Sequence, residues 1–378
     1  LKRSERRGLI RAFLVFGGFW GAWAATLPAV RAQVHASDGQ LGLALGVIAV
    51  CAVPVMPIAG RLVDRIGARR ALPGALLLFA AVLPLPAFAH SLAALVPGLV
   101  LLGLTTGGLD VVANTATAAW ERVERDRLMS VVHGSFSAGV LIGSISAGLA
   151  RQAGAGPLPI LLAVTVAVLA VGLTQPPYRL AVGEGQAKEH RNRLPWVLVG
   201  IGALTAGAFL CEDAIQSWSA LHLERGLGAS PGVSGLGPGL FAAAMAAGRL
   251  AGGPLSRRYA EPLLLGVAGS LLAVGALVLA AAPTTAVALA GLVVAGAGTS
   301  VLAPVLYSAV GSRAAAGRQG ADLAAVSVLG YVGFVAGPPL VGALSAATSL
   351  PVALGCLSAV GVALAVGGPL LLSGKMAA

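Results

Sequence analysis

Asp110 and Asn114 stand four residues apart in the apolar stretch "GLTTGGLDVVANTATAA" at 103–119. On a helix that spacing puts both on one face, and Thr117 continues it. A second stripe at helical spacing is Glu212, Gln216 and Ser219, with Asp213 beside Glu212. His133 sits in "MSVVHGSFSAGV", equally apolar. A carboxyl group withdrawn from water can hold a proton near neutral pH, and an imidazole titrates near pH 6.5. An interior set of three acids therefore suits a proton or a cationic solute, and we favour the proton. Each residue also has a plainer reading. Asp110 and Asn114 can hold helices together by a hydrogen bond, His133 can be a satisfied core residue, and Asp213 can face an outer vestibule.

These residues need elements to hold them. Of 378 residues, 57% are hydrophobic and 10% charged. A soluble domain carries about 25% charged residues, so this chain cannot cover a water-facing surface. Apolar runs of roughly 20 residues, the length that crosses a bilayer, recur throughout. We read twelve spans: 9–30, 41–60, 71–89, 93–119, 128–150, 157–175, 195–220, 231–254, 262–281, 286–310, 322–344 and 350–373. The 53 glycines fit close helix packing in lipid. Cys51, Cys211 and Cys356 show no paired spacing and read as small core residues. The first apolar run leads into the same loop pattern as the rest, so no cleavable signal peptide is expected.

The loops sort by charge. Of the 25 Lys and Arg residues, all but Arg31, Arg151 and Arg225 fall on one set of alternate loops, N-terminus included. Positive loops stay cytoplasmic, which predicts both termini cytoplasmic and an even number of spans. No Lys or Arg is expected well inside a span. Asp110 falls near the middle of its span and Glu212 nearer the outer end of its own. The +11 formal charge is thus topological and calls for no nucleic acid.

The chain also repeats. "GRL" at 60–62 recurs at 248–250, an offset of 188, while Gly139, Gly143 and Gly148 match Gly333, Gly337 and Gly342 at an offset of 194. The polar stretch 175–193 reads as a linker. The expected domains are a six-helix bundle at 1–175, a cytoplasmic linker at 176–194 and a second bundle at 195–378. Parallel six-helix halves with a solute site between them are one transporter plan. Under the 194 offset His133 matches Ser327, and Tyr331 lies one turn on, facing the same cavity. Trp20, Trp23 and Trp218 suit stacking on a ring, although Trp196 and Trp23 also suit interfacial anchoring. Two prolines in "GFVAGPPLVG" at 333–342 are expected to break their span and form a hinge.

The loop "GRLVDRIGARR" at 60–70 resembles the signature loop of the major facilitator superfamily in Gly60, Asp64, Arg65, Gly67, Arg69 and Arg70. "GRLAGGPLSRR" is similar but lacks the acid, keeping Gly248, Arg249, Leu250, Arg257 and Arg258. The resemblance implies a gating loop in which Asp64 docks at the start of span eleven, around Gly320–Leu323. Enforcing topology is the plainer role for these charges. A narrower similarity, to a fucose-permease-like branch, rests on 108–144, 209–223 and 324–342. It implies that Asp110, Asn114, His133 and Glu212 occupy that branch's motif positions. Asp213 stands where a small residue is usual there.

The expected fold is all-α and integral to the membrane: twelve transmembrane helices in two pseudo-symmetric six-helix bundles, the major facilitator fold. No Walker loop, metal cluster, nucleophilic triad or dinucleotide fingerprint occurs in a fitting context, so neither enzyme chemistry nor a cofactor is expected. The leading expectation is a proton-coupled symporter of a small polar, possibly sugar-like solute working by alternating access. It would act as a monomer in the bacterial inner membrane, with protons, lipid and a small molecule as its partners. Asp110, Glu212, His133 and Asp213 would couple protons, and Asn114, Trp20, Gln216, Ser327 and Tyr331 would bind the solute. Two alternatives stay open: a proton/solute antiporter exporting drugs or metabolites, and a non-transporting receptor or scaffold.

Overall fold

In the computed structural model, residues 2–125, 127–178, 195–313 and 319–373 are described, apart from the side chains of 253 and 319–321. Twelve long helices follow one another. They are α1 (Lys2–Gln33), α2 (Asp38–Ile66), α3 (Ala68–Val82), α4 (Leu92–Glu124), α5 (Met129–Gln152) and α6 (Pro157–Leu173). Then come α7 (Trp196–Leu227), α8 (Leu236–Arg258), α9 (Glu261–Ala280), α10 (Thr285–Arg313), α11 (Gln319–Ala347) and α12 (Leu350–Leu372). A 3-10 turn at Leu85–Phe88 and a single helical turn at Pro231–Ser234 complete the order. Ten of the long helices are long and apolar enough to cross a membrane, α3 counted with its turn. The 17-residue α6 and α8, with its basic C-terminal end, make twelve. All twelve stand where the apolar runs put them.

Local chemistry sets the boundaries. Ser37 opens α2 with a capping box, its hydroxyl accepting from the Gln40 amide while Gln40 accepts from the Ser37 amide. Ser91 and Ser349 cap α4 and α12 in the same sense. Between α2 and α3, Gly67 takes φ +73°, which a side chain would strain. The third span is shorter than the hydropathy suggests because α3 stops before Pro84 and resumes as the 3-10 turn. By contrast α7 outruns its predicted end at 220. Leu221, His222 and Leu223 remain buried, and the helix stops only at Gly228, whose φ is +64°. The expected break in the eleventh span is corrected too, since α11 runs unbroken through Pro338 and Pro339. One helix can absorb two prolines where neighbouring helices in lipid satisfy the freed backbone groups.

Packing repeats between the two halves of the sequence. A side chain at Gly103 would strike the Ile48 carbonyl and Cys51, and one at Gly296 would strike the Phe241 carbonyl and Ala244. Each of these three pairs is 193 positions apart. On α5, Gly139 lies against the Leu14 carbonyl, while on α11 Gly333 lies against the Ala206 carbonyl. Gly139 and Gly333 keep the 194 offset, and their partners stand 192 apart. In lipid, close approach over small residues is what holds such helices together.

The 193 register corrects the "GRL" match. It sets Gly60 opposite Gly253 and Asp64 opposite Arg257, while Arg249 falls opposite Met56. Arg249 is therefore no counterpart of the loop basics. It lies inside α8, nine residues before the end at Arg258. A three-letter match in so glycine-rich a chain carries less weight than a shared contact.

By contacts the chain divides into Leu1–Glu184 with Ser230–Gly239, and Gly185–Ala229 with Leu240–Ala378. In the first unit α1 packs on α5 and α2 on α4, and the segment 230–239 packs against α5. There Ser144 donates to the Gly235 carbonyl, and the Gln152 side chain accepts from the Gly232 amide at 3.0 Å. In the second unit α7 packs on α11 and α12, and α9 on α10 and α12. Of the expected linker at 176–194, residues 179–194 lie outside the described residues.

Candidate functional site

In the first unit, Asn114 Nδ2 donates to the Asp110 carbonyl at 2.9 Å and to its carboxylate Oδ1 at 3.0 Å. Both side chains are half-buried on α4. Asp110 lies 18 residues from the start of α4 and 14 from its end, more than about 20 Å of helix either way. Thr117, at the next position on this face, is wholly buried and donates to the Ala113 carbonyl. His133 is half-buried on α5, with its ring 5.3 Å from Phe13, edge to face. Trp20 is half-buried between Phe16, at 6.5 Å, and Phe19, at 5.2 Å.

In the second unit, Glu212 is the 17th residue of the 32 in α7, which places it mid-helix and not toward one end as expected. Its Oε1 lies 3.3 Å from Arg249 Nη2. The expectation of a wholly acidic interior set is thereby corrected, because an arginine reaches the acid at mid-helix. Ser217 donates to Asp213 Oδ1 at 3.5 Å, and Gln216 is half-buried beside it. Ser219, the last residue of the stripe, is fully buried and donates to the Gln216 carbonyl at 3.5 Å. Ser327 donates to the Leu323 carbonyl at 2.8 Å and also meets the Tyr307 hydroxyl. Tyr331 joins an aromatic group with Phe209 at 6.3 Å and Phe334 at 5.7 Å.

Trp218 and Trp23 are placed differently from the reading of the sequence, and Trp196 agrees with it. Trp218 is fully buried, with its indole nitrogen unpartnered among the described residues, so it offers no face for stacking on a solute. Trp23 is buried and stacks on Phe19 at 6.3 Å. Trp196 opens α7 with 52% of its surface exposed, as an interfacial anchor would.

At the loop expected to gate, Gly60, Asp64 and Arg65 lie in the last turns of α2, with Asp64 and Arg65 exposed. Gly67 makes the corner, and Arg69 and Arg70 open α3, also exposed. The expected seat for Asp64 takes in 320 and 321, which lie outside the described side chains. Gly248 faces Ser300 on α10 inside the second unit.

Beside the candidate site stand one residue that the sequence reading places elsewhere and one that it omits. Arg249 was assigned to a loop. Tyr307 was passed over, although "GLVLLG" at 98–103 and "GLVVAG" at 291–296 share the 193 register that sets Tyr307 opposite Asn114. That pair of hexapeptides was the signal available.

The sequence matches the Major Facilitator Superfamily over residues 9–338 and 201–375. An uncharacterized MFS-type transporter of Yersinia pestis is 32% identical, covering 92% of this chain and 90% of its own. Membrane protein MosC of Rhizobium meliloti is 30% identical, covering 93% of this chain and 86% of its own. Among solved structures, the nucleoside transporter NupG superposes with a TM-score of 0.74 at 14% identity, over 97% of this chain and 98% of that one. A bacterial homolog of the human lysosomal transporter Spinster, inward-facing and unoccupied, gives 0.76 at 15% identity, over 99% and 97%. Apolar helices with caps at their ends, glycine contacts repeated between the halves, and these relatives agree: the chain is a membrane transporter, not an enzyme, and it belongs to the Major Facilitator Superfamily.

Proposed function

We propose that the chain couples movement of a small polar solute to movement of protons, by alternating access of its two halves. The observation that carries this reading is a pair of ionisable groups deep in their helices: Asp110 held by Asn114, and Glu212 held by Arg249. Charged groups at such depth are costly, and they persist where they face a pathway. In this reading protonation of Asp110 or Glu212 biases the exchange between inward-open and outward-open forms. Asp213 and His133 extend the proton path. Asn114, Trp20, Gln216, Ser327 and Tyr331 bind the solute. The halves are the bundles 1–175 and 195–378, and the loop of Gly60, Asp64, Arg65, Gly67, Arg69 and Arg70 is the breakable latch between them.

The fucose-permease-like motif positions support a sugar-like solute, and the nucleoside carried by the structural relative NupG is another small polar ring compound. The charge bias of the loops supports cytoplasmic termini in a bacterial inner membrane. The test is proton flux in liposomes containing the purified protein, with sugars, nucleosides, organic acids and lipophilic cations as candidate solutes. A solute that alkalinises the outside as it enters, with the effect lost in Asp110→Asn, supports symport. Lipophilic cations driving protons the other way would establish export by antiport instead.

A further inference from the structure

Arg249 is poorly matched to a structural role. A guanidinium has five N–H donors, and here one of them reaches one oxygen of Glu212, at 3.3 Å. The remaining donors find no acceptor among the described residues. The side chain keeps 31% of its surface exposed and that of Glu212 keeps 19%, so the pair lines open space. An ion pair kept for stability gains most from two parallel hydrogen bonds, and this one has a single long contact. Nor is Arg249 a topological charge, since its partner lies 16 residues from one end of α7 and 15 from the other. Beside it stands an aromatic wall. Phe209 and Phe334 stack at 4.5 Å, and Tyr307 lies 6.5 Å from Phe209, which precedes Glu212 on α7 by three residues.

We propose that Arg249 receives an anionic group of the solute, a carboxylate, and that Glu212 is the resident carboxylate it displaces. This rests on the transport reading of the same site and narrows its solute class to organic acids with an apolar or ring-bearing body. Guanidinium and carboxylate match as a planar, two-bonded pair, and the single contact from Glu212 fills half of that arrangement. Two carboxylates cannot share Arg249 without repulsion, so Glu212 takes up a proton as the acid arrives. One monoanion and one proton add no net charge to the site. The aromatic wall receives the body of the solute.

The test uses the full chain in nanodiscs and reads thermal stabilisation by matched probes: benzoate against benzamide, glucuronate against glucose, and inorganic phosphate. An acid is expected to act at a concentration at least about tenfold below that of its neutral partner, the scale of a lost charge-assisted bond. Arg249→Gln should erase that difference, Arg249→Lys should keep part of it, and Glu212→Gln should tighten acid binding at neutral pH. If Arg249→Gln fails to fold, the Arg249→Lys and Glu212→Gln arms still decide. Neutral probes acting as well as acids, acids acting equally on Arg249→Gln, phosphate alone acting through Arg249, or silence from every acid would each overturn the proposal. Proton flux separates the two readings. Acid binding through Arg249 without proton movement sinks the coupling and the protonation of Glu212 but keeps the carboxylate site at Arg249, while proton movement with neutral solutes alone does the reverse.

Discussion

Arg249 Nη2 lies 3.3 Å from Glu212 Oε1, and in the repeat register the first unit has Met56 where the arginine stands. The second unit thus holds an opposite-charge pair where the matching position of the first has Met56, while the first holds an acid and amide, Asp110 and Asn114. Removing one member of an ion pair leaves an uncompensated charge, and removing both does not. Glu212→Gln and Arg249→Gln should each lower stability by about 1–3 kcal/mol, less than for a fully buried pair because both side chains keep some exposure. The double variant should recover most of the loss. Thermal unfolding of the four proteins in one detergent checks this, and additive losses would show that the pair is not coupled.

Asn114→Leu keeps the bulk of the side chain and removes the donor to Asp110. Solute uptake should fall by about tenfold, the cost of one lost hydrogen bond to a charged group, with the thermal midpoint little changed. Initial rates in liposomes read the first effect and an unfolding scan the second.

Gly333→Leu sets a side chain into the Ala206 carbonyl, and Gly139→Leu sets one into the Leu14 carbonyl. Each should cost about 1–3 kcal/mol or more through overpacking. Gly74 in α3 has nothing within 4 Å of an added carbon, so Gly74→Ala should raise stability by up to about 1 kcal/mol through helix propensity. Unfolding midpoints of the three variants, measured together, give both signs in one experiment.

Tyr178 follows α6, outside the spans. It is buried, and its hydroxyl donates to Gln175 Oε1 at 2.7 Å. Burial pushes its phenol above the usual range and the nearby Glu5 adds to this, with Arg11 opposing. The native state therefore favours the neutral phenol. Its contribution to stability is whole below the unfolded value of about 10 and declines as pH rises beyond it. Above that pH, Tyr178→Phe should lose stability less steeply than the parent chain. Parallel slopes in alkaline unfolding scans would refute this.

Much of the fold was legible because each span announces itself by length and apolarity, and charge bias in the loops fixed the count. Asp110, Asn114 and Glu212 were legible for the complementary reason: polar groups stand out in apolar helices. Arg249 was not, because a basic residue nine positions from a helix end looks the same, in sequence, as one in the loop beyond. Its meaning depends on what α7 brings opposite it. The repeat register was only half legible. Among 53 glycines many offsets give matches, and only the shared partners of Gly103 and Gly296 separate the true offset from the accidental one.

The match of α1 with α7 at an offset of 192, and of α5 with α11 at 194, also governs how the chain can be recombined. A side chain at Gly17 on α1 would strike the backbone of Phe136 on α5, whereas at the matching pair in the second unit the ring of Phe209 on α7 lies over Gly330 on α11. Large and small have changed places. Grafting α1 in place of α7 would set Gly17 against Gly330 and leave a void, and the reverse graft would drive Phe209 into the backbone at Phe136. The interchangeable part of this protein is therefore the helix pair and not the single helix, so a chimera that trades α1 together with α5 keeps its seam closed.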